Sequence, residues 1–307
     1  MGNKNELSNK GSKTSSFGVS KRECHDSTKF YNSNLYKDVI KPQKVDYVDN
    51  SSLIPLNVLD RVILGDSRKM DLIPDSSIHL MITSPPYGVG KDYDENITLA
   101  EYFGLLEDVF KETWRVLVPG GRAAINIANV GRKPYIPLHA YIIGIMHKLG
   151  FHMRGEIIWN KGASAGVSTA WGSFASASNP CLRDVHEYIL LFSKLTNKLE
   201  KGDRFDSIAK DNFIEWSKSI WNFSADSATR IGHPAPFPEE LPCRLIEFYS
   251  YQGDVILDPF IGSGSTAIAA LKLKRHYIGY EISPKYVNLA EKRIRLFKQQ
   301  LKIDNFF

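Results

Sequence analysis

Val255-Ile256-Leu257-Asp258-Pro259-Phe260-Ile261-Gly262-Ser263-Gly264-Ser265-Thr266 is the stretch that decides the fold of this chain. It reads as a short apolar strand, a tight turn and the start of a helix. The two glycines let the backbone pass close to a ligand without side-chain obstruction. Ser265 and Thr266 suit the first turn of the helix that follows. Beyond it, Tyr277-Ile278-Gly279-Tyr280-Glu281 predicts the next strand. Its closing carboxylate can accept hydrogen bonds from both hydroxyls of a ribose.

Two nucleoside cofactors compete for such a loop. Gly262-x-Gly264-x-x-Ala267 also satisfies the loose dinucleotide fingerprint, so an NAD oxidoreductase is a rival reading. Too little chain follows Glu281 for the remaining strands of a dinucleotide domain. Asp258, directly before the turn, suits the positively charged methionine portion of S-adenosyl-L-methionine better than a pyrophosphate. The loop is therefore read as an S-adenosylmethionine site, with Asp258, Pro259, Phe260, Gly262, Gly264, Ser265 and Glu281 as cofactor-binding residues.

A second peptide stands far upstream. Thr83-Ser84-Pro85-Pro86-Tyr87 follows the apolar run Ile78-His79-Leu80-Met81-Ile82, at the strand end where open α/β sheets place ligands. Proline fixes its own φ and holds the preceding residue extended. The resulting corner aims the Ser84 hydroxyl and the Pro85 carbonyl in one direction, and both can accept from an –NH2 group. Tyr87 can stack on a base, as extruded bases are held between flat side chains. An exocyclic amine is a poor nucleophile because its lone pair is delocalised into the ring. Hydrogen bonds to both N–H groups favour a pyramidal nitrogen and direct the lone pair at a sulfonium methyl, so orientation and electrostatics carry the transfer.

Strand and helix patterns alternate between these landmarks. Strands are predicted at Val62–Leu64, His79–Thr83, Arg122–Ile127, Glu156–Trp159, Glu187–Phe192, Val255–Leu257 and His276–Tyr280. Helices are predicted near 99–115, 136–149, 239–250, 265–273 and 284–298. Such alternation implies an α/β fold with a mostly parallel, Rossmann-like sheet of seven strands covered on both faces. Residues 1–48, rich in Lys, Ser and Asn, read as a flexible polar arm. The catalytic half is placed at 49–161 and the cofactor half at 226–307. Residues 162–225, with their Gly-, Ser- and Asn-rich start and scattered Trp and Lys, are read as an inserted target-recognition region.

Composition excludes several classes. A net charge of +5 permits nucleic-acid binding without demanding it. Three cysteines with no Cys-x-x-Cys pair argue against a zinc site and against a disulfide framework. No apolar stretch approaches the roughly 20 residues that span a bilayer, and no hydrophobic signal core opens the chain. A soluble, cytoplasmic protein without a metal and without membrane attachment is expected.

At these residues the chain resembles the β-class amino-methyltransferases of restriction–modification systems, in which the catalytic peptide precedes the cofactor peptide. This circularly permuted order is the one found here. Gly65-Asp66-Ser67, Trp114-Arg115-Val116-Leu117-Val118-Pro119-Gly120-Gly121, Glu156-Ile157-Ile158-Trp159-Asn160-Lys161 and His233-Pro234-Ala235-Pro236-Phe237-Pro238 also fit. The resemblance implies an S-adenosylmethionine-dependent methyltransferase fold. It also implies that Asp66 helps bind the adenosine end and that His233 lies in the segment completing the cofactor pocket. Ser-Pro-Pro-Tyr is typical of N4-cytosine enzymes and Asp-Pro-Pro-Tyr of N6-adenine enzymes, so Ser84 favours cytosine N4, with adenine N6 as the alternative. Double-stranded DNA is the implied substrate, with base flipping. A cognate restriction endonuclease is the implied functional partner, in a prokaryotic, nucleoid-associated setting, for a monomer or homodimer.

The polar residues near the recognition region carry weaker readings. Arg183, Trp171 and Lys161 are candidate DNA contacts, and Lys194, Lys198, Lys201, Arg204, Lys210 and Lys218 could follow phosphates or form a solvated face. Asp184, His186 and Glu187, beside Arg183, could equally pair within the fold. Trp221 is expected in the core. Pro180-Cys181 superficially resembles the nucleophile of C5-cytosine enzymes, but that class places its cofactor motif first, so Cys181 is read as structural.

Overall fold

The computed structural model describes residues 13–14, 22–23, 32–37, 39, 41–86, 97–131, 133–162, 172–225 and 238–304. The chain divides into two units, Met1–Lys41 and Pro42–Phe307. In the first, β1 (Lys13–Thr14) pairs antiparallel with β2 (Arg22–Glu23), and a short 3₁₀ turn covers Asn34–Tyr36. The arm expected over 1–48 thus contains a strand pair and stops sooner. Residues 42–48 belong to the larger unit because they bond into it. Gln43 N–H donates to the Leu195 carbonyl at 2.8 Å, and the Tyr47 hydroxyl accepts from Arg204 at 3.0 Å.

The larger unit is built on one sheet of eight strands in the order β3-β10-β9-β4-β5-β7-β6-β8. They are β3 (Arg61–Leu64), β4 (Ile78–Thr83), β5 (Leu117–Ile127), β6 (His152–Asn160), β7 (His186–Ser193), β8 (Ile220–Asn222), β9 (Val255–Asp258) and β10 (His276–Glu281). All neighbours run parallel except β7, which is antiparallel to both β5 and β6. β4, β9 and β7 are buried on nearly every residue because helices cover both faces.

The helices are α1 (Leu99–Val116), α2 (Leu138–Lys148), α3 (Lys210–Trp216), α4 (Glu240–Tyr249), α5 (Ser265–Lys272) and α6 (Pro284–Asp304). Residues of α1 and α2 join the core on one face of the sheet; those of α4, α5 and α6 join the core on the other. In α1, Tyr102, Leu106, Val109, Phe110, Thr113 and Val116 recur at three- and four-residue spacing and form its buried stripe. A reciprocal bond pair starts that helix: Thr98 accepts from the Glu101 N–H, and Glu101 accepts from the Thr98 N–H. α6 begins at Pro284, where a missing N–H costs nothing.

Three departures from the sequence expectations have physical causes. The sheet has an eighth strand, β8, of only three residues, too short to show alternation. It pairs with β6 through Ile158↔Ile220, Trp159↔Trp221 and Asn160↔Asn222, and Trp221 anchors it at 1% exposure. Second, β5 begins at Leu117 rather than Arg122. Its register on β4 slips between Ile78↔Leu117 and Leu80↔Arg122, around Gly120 at φ 78°. A Cβ at Gly120 would lie 1.9 Å from the Lys198 carbonyl oxygen, so the irregular turn requires glycine there. Third, β7 is an interior strand, so 162–225 is not one continuous insertion. Irregular chain flanks a core strand on both sides.

Trp221→Ala should lower unfolding stability by about 3–5 kcal/mol in urea denaturation, because it empties a fully buried site and detaches β8. A loss below about 1 kcal/mol would mean that β8 holds without its anchor.

Candidate cofactor and base site

The two peptides that lie far apart in sequence meet at the C-terminal edge of the sheet, at the ends of two interior strands. β4 and β9 are neighbours, with Leu80↔Ile256 and Met81↔Leu257 in register. At their C-terminal ends the Thr83 hydroxyl donates to Asp258 Oδ1 at 2.8 Å across 175 residues. Thr266 donates to Asp258 Oδ2 at 2.6 Å, and the Phe260 N–H donates to Oδ1 at 3.1 Å. One carboxylate thus joins the strand before Ser84, the turn at Phe260 and the first turn of α5.

Asp258 was expected to face the cationic portion of a ligand. Instead it is 1% exposed, with both oxygens engaged by the protein. Burial pushes its carboxyl up to about 6, although three donors pull in the opposite direction. These bonds fasten the two peptides together.

Glu281 stands at the end of β10, beside β9 and β3. Its Oε2 accepts the Gly262 N–H at 3.1 Å and its Oε1 accepts the Ser283 N–H at 2.9 Å. Each carboxylate oxygen retains acceptor capacity after one such bond, which suits a pair of ribose hydroxyls. Glu281 is half-buried, and burial raises its pKa. Leu64 and Ile282, at 56% and 67% exposure, flank this strand end with open apolar surface of the kind a flat adenine can cover. The residues present therefore fit a nucleoside cofactor.

The loop between them is shaped by two glycines and by residues that no local sequence pattern marks as functional. Gly262 at φ 49° and Gly264 at φ 85° are both left-handed, and Gly264 abuts Ala290 of α6. Gly279 makes room for Ile261, since a Cβ there would lie 2.1 Å from Ile261 Cδ1. The signal was present, an isolated glycine inside a strand pattern. Arg293 on α6 donates to the Ser263 carbonyl at 2.6 Å and its hydroxyl at 3.0 Å, and its other nitrogen reaches Glu239 at 3.1 Å. No local motif announces an arginine whose partners lie about 30 and 54 residues away.

The remaining predicted residues divide clearly. Ser84 and Pro86 are half-buried and Pro85 is buried at the end of β4, while Pro259 is buried and Phe260 half-buried after β9. Ser265 begins α5. Asp66 follows β3 on the same edge, but Arg68 chelates its carboxylate at 2.6–3.1 Å and holds its pKa low. Tyr87, Trp171 and His233 lie outside the described residues. Arg183 is half-buried in the stretch before β7.

The cations read as DNA or phosphate contacts are largely engaged within the protein, Lys161 among them. Lys161 Nζ pairs with Glu187 at 2.5 Å. Lys194 is 6% exposed and donates to the carbonyls of Leu117 at 2.6 Å and Arg115 at 3.3 Å, with burial lowering its pKa to about 8. Lys198 pairs with Glu200, Lys201 with Asp206, Arg204 with Asp254 and Lys218 with Glu215. Four of these pairs are local in sequence or cross between loops, which a charge count cannot reveal. Among the described residues no helix is long and apolar enough to cross a membrane, and no cluster of His, Cys, Asp and Glu is arranged to hold a metal ion.

Comparison with known proteins matches this geometry. The family described as DNA methylase, the N6/N4 methyltransferases, matches residues 78–292, which include both peptides and all strands between them. The chain belongs to that family. Type II methyltransferase M.MjaI of Methanocaldococcus jannaschii is 34% identical over 295 residues, covering 82% of this chain and 96% of that protein. Type II methyltransferase M.MthZI of Methanothermobacter thermautotrophicus is 31% identical, covering 80% and 78%. Among solved structures, TTHA0409 of Thermus thermophilus, described as a DNA modification methylase and solved complexed with S-adenosyl-L-methionine, superposes with a TM-score of 0.62 at 31% identity, covering 77% of this chain and 93% of that one. The cytosine-N4-specific PvuII DNA methyltransferase shares the fold, with a TM-score of 0.59 at 21% identity over 78% of this chain and 91% of that one. This methylase is thus a Type II DNA methyltransferase with an α/β methyltransferase fold.

Two outcomes follow from the site. With Asp258 raised from 3.8 to about 6, the folded state holds a proton between those values that the unfolded state has released. Stability then falls as pH rises through that window, and Asp258→Asn, which cannot titrate, should lack this slope. Wild type should lose on the order of 2–3 kcal/mol relative to Asp258→Asn between pH 4 and 6.5; parallel pH–stability curves would remove the buried-carboxylate account. Arg293→Met should weaken S-adenosylmethionine binding about tenfold in calorimetry by releasing the Ser263 turn, and unchanged affinity would show that the loop holds its shape without α6.

Proposed function

We propose that this methylase transfers a methyl group from S-adenosyl-L-methionine to the exocyclic N4 amine of cytosine in duplex DNA. The observation that carries the reading is the Thr83–Asp258 hydrogen bond, which holds the amine clamp and the cofactor loop at one strand edge. Bound S-adenosylmethionine supplies a methyl group on a sulfonium, an electrophile that needs no covalent enzyme intermediate. Gly262, Gly264 and Phe260 would cradle it, Glu281 would accept from its ribose hydroxyls, Asp66 would help bind its adenosine end, and His233 is assigned through the resemblance to the segment that completes the pocket. Asp258, Pro259 and Ser265 shape the loop.

The protein's part in the transfer is orientation. Ser84 Oγ and the Pro85 carbonyl accept from the two N–H groups of the target amine. Pro86 stiffens the corner, and Tyr87 stacks on the extruded base. Extrusion costs a few kcal/mol of stacking and pairing, repaid by these contacts. Serine at position 84 supports cytosine, through the resemblance to Ser-Pro-Pro-Tyr enzymes. Arg183 and Trp171 are proposed DNA contacts. Protection of host DNA from a cognate endonuclease is the proposed biological role, in a prokaryotic cytoplasm.

The test is to incubate the protein with labelled S-adenosylmethionine and duplex DNA rich in varied sequence, digest to nucleosides and identify the labelled base by mass. N4-methylcytosine is expected. N6-methyladenine would overturn the cytosine assignment while keeping the clamp chemistry, and an unlabelled digest would overturn DNA as substrate. In the same assay Ser84→Ala should lower turnover about 100-fold or more while S-adenosylmethionine affinity stays within about twofold. Equal loss of both would remove Ser84 from the base clamp.

A further inference from the structure

Beside the clamp lies a buried polar chain that neither the cofactor loop nor Ser84–Tyr87 accounts for. Asn126 on β5 donates through Nδ2 to Glu187 Oε2 at 2.6 Å. Lys161, just past β6, donates to Glu187 Oε1 at 2.5 Å while its ammonium sits 5.3 Å from the centre of the Trp159 ring. Asn126 is 2% exposed and Glu187 8%. Two strands and the residue after a third thus contribute one amide, one carboxylate and one ammonium to a single hydrogen-bonded line.

Its place follows from register. Thr83 of β4 pairs with Ile125 of β5, so Ser84 and Asn126 are the next residues on neighbouring parallel strands. Ala124, Ile189 and Trp159 belong to the core on one face of the sheet. Period-two alternation puts Asn126 and Glu187 on that same face, and Glu187 lies opposite Trp159. In the order β4-β5-β7, Asn126 stands between Ser84 on one side and Glu187 on the other. Because a carboxylate only accepts, it commits the amide nitrogen of Asn126 to the β7 side. The amide oxygen is thereby turned to the β4 side, where the clamp begins.

We propose that Asn126 Oδ1 is a further hydrogen-bond acceptor for the target base beside Ser84, with Glu187 and Lys161 as the positioning residues that fix its amide. This assignment rests on the amine-methylation reading above. The chemistry fits: as the N–C bond forms and the C–S bond breaks, the amine nitrogen gains positive charge and the sulfur leaves as a neutral thioether, after which the methylated amine releases one proton to water. A carbonyl dipole already aimed at the amine stabilises that charge without reorganising. A buried ion pair adds little net stability by itself, whereas a fixed amide beside a reacting amine adds orientation. Lys161, expected to contact DNA, serves here by balancing the charge of Glu187.

The experiment compares wild type, Asn126→Ala, Glu187→Ala and the double variant by single-turnover methyl transfer on DNA that wild type modifies. S-adenosylmethionine affinity and thermal midpoint are measured in parallel. Asn126→Ala and Glu187→Ala should each slow transfer about 10- to 100-fold with cofactor affinity within about threefold. The double variant should lose no more than the slower single one, since both remove the same oriented acceptor. A merely structural chain would lower the midpoint and leave the transfer rate of the folded protein unchanged, which would overturn the proposal. Losses that multiply in the double variant would overturn the positioning role of Glu187. Should Glu187→Ala not fold, Asn126→Ala decides alone through its rate. If wild type modifies no DNA, the reading of function fails and this assignment with it; if wild type is active and Asn126→Ala matches it, only the array fails.

Discussion

A carboxylate sealed from water at the junction of two strand ends is the constraint on which the remaining structure depends. Asp258 accepts from Thr83, Thr266 and the Phe260 N–H, and no solvent is available to replace any of these donors. Burying such a group costs several kcal/mol unless its lone pairs are filled, so the three donors are held in place as firmly as the carboxylate is. One donor precedes Ser84 directly, one belongs to the cofactor turn, and one opens α5. Displacing any of them displaces the others, which is how peptides 175 residues apart acquire a common frame.

The same logic recurs around the sheet edge at lower cost. Glu281 ties the Gly262 and Ser283 N–H groups, Arg293 ties the Ser263 turn to Glu239, and Glu187 ties Asn126 to Lys161. These bonds fix the shape of turns and strand ends that apolar packing alone does not orient. The apolar cores on the two sheet faces supply the stability that permits it. Transfer between two bound molecules requires placement to within a fraction of an ångström. A rim built from buried charged hydrogen bonds meets that need better than one built from exposed loops.

Much of this was legible in the sequence because it is local. The strand–turn–helix of 255–266, the proline corner at 84–86, and the helical patterns near 99–115 and 284–298 each announce themselves within one short window. What escaped is what depends on distant partners or on very short elements. β8 has three residues and is anchored by the buried Trp221. Lys194 looks like any basic surface residue until its ammonium is seen capping buried carbonyls. Asp258 and Lys161 stand out by residue type and position, but the sequence does not show that their partners are Thr83 and Glu187 on other strands.

The most direct test of the shared frame is the single-turnover methyl-transfer rate of Thr83→Val, which removes one hydroxyl and preserves the shape of the strand. The account predicts a fall of about 100-fold, with DNA and S-adenosylmethionine binding each within about threefold of wild type. A rate equal to wild type would contradict it, because the clamp and the cofactor loop would then keep their register without the bond that joins them.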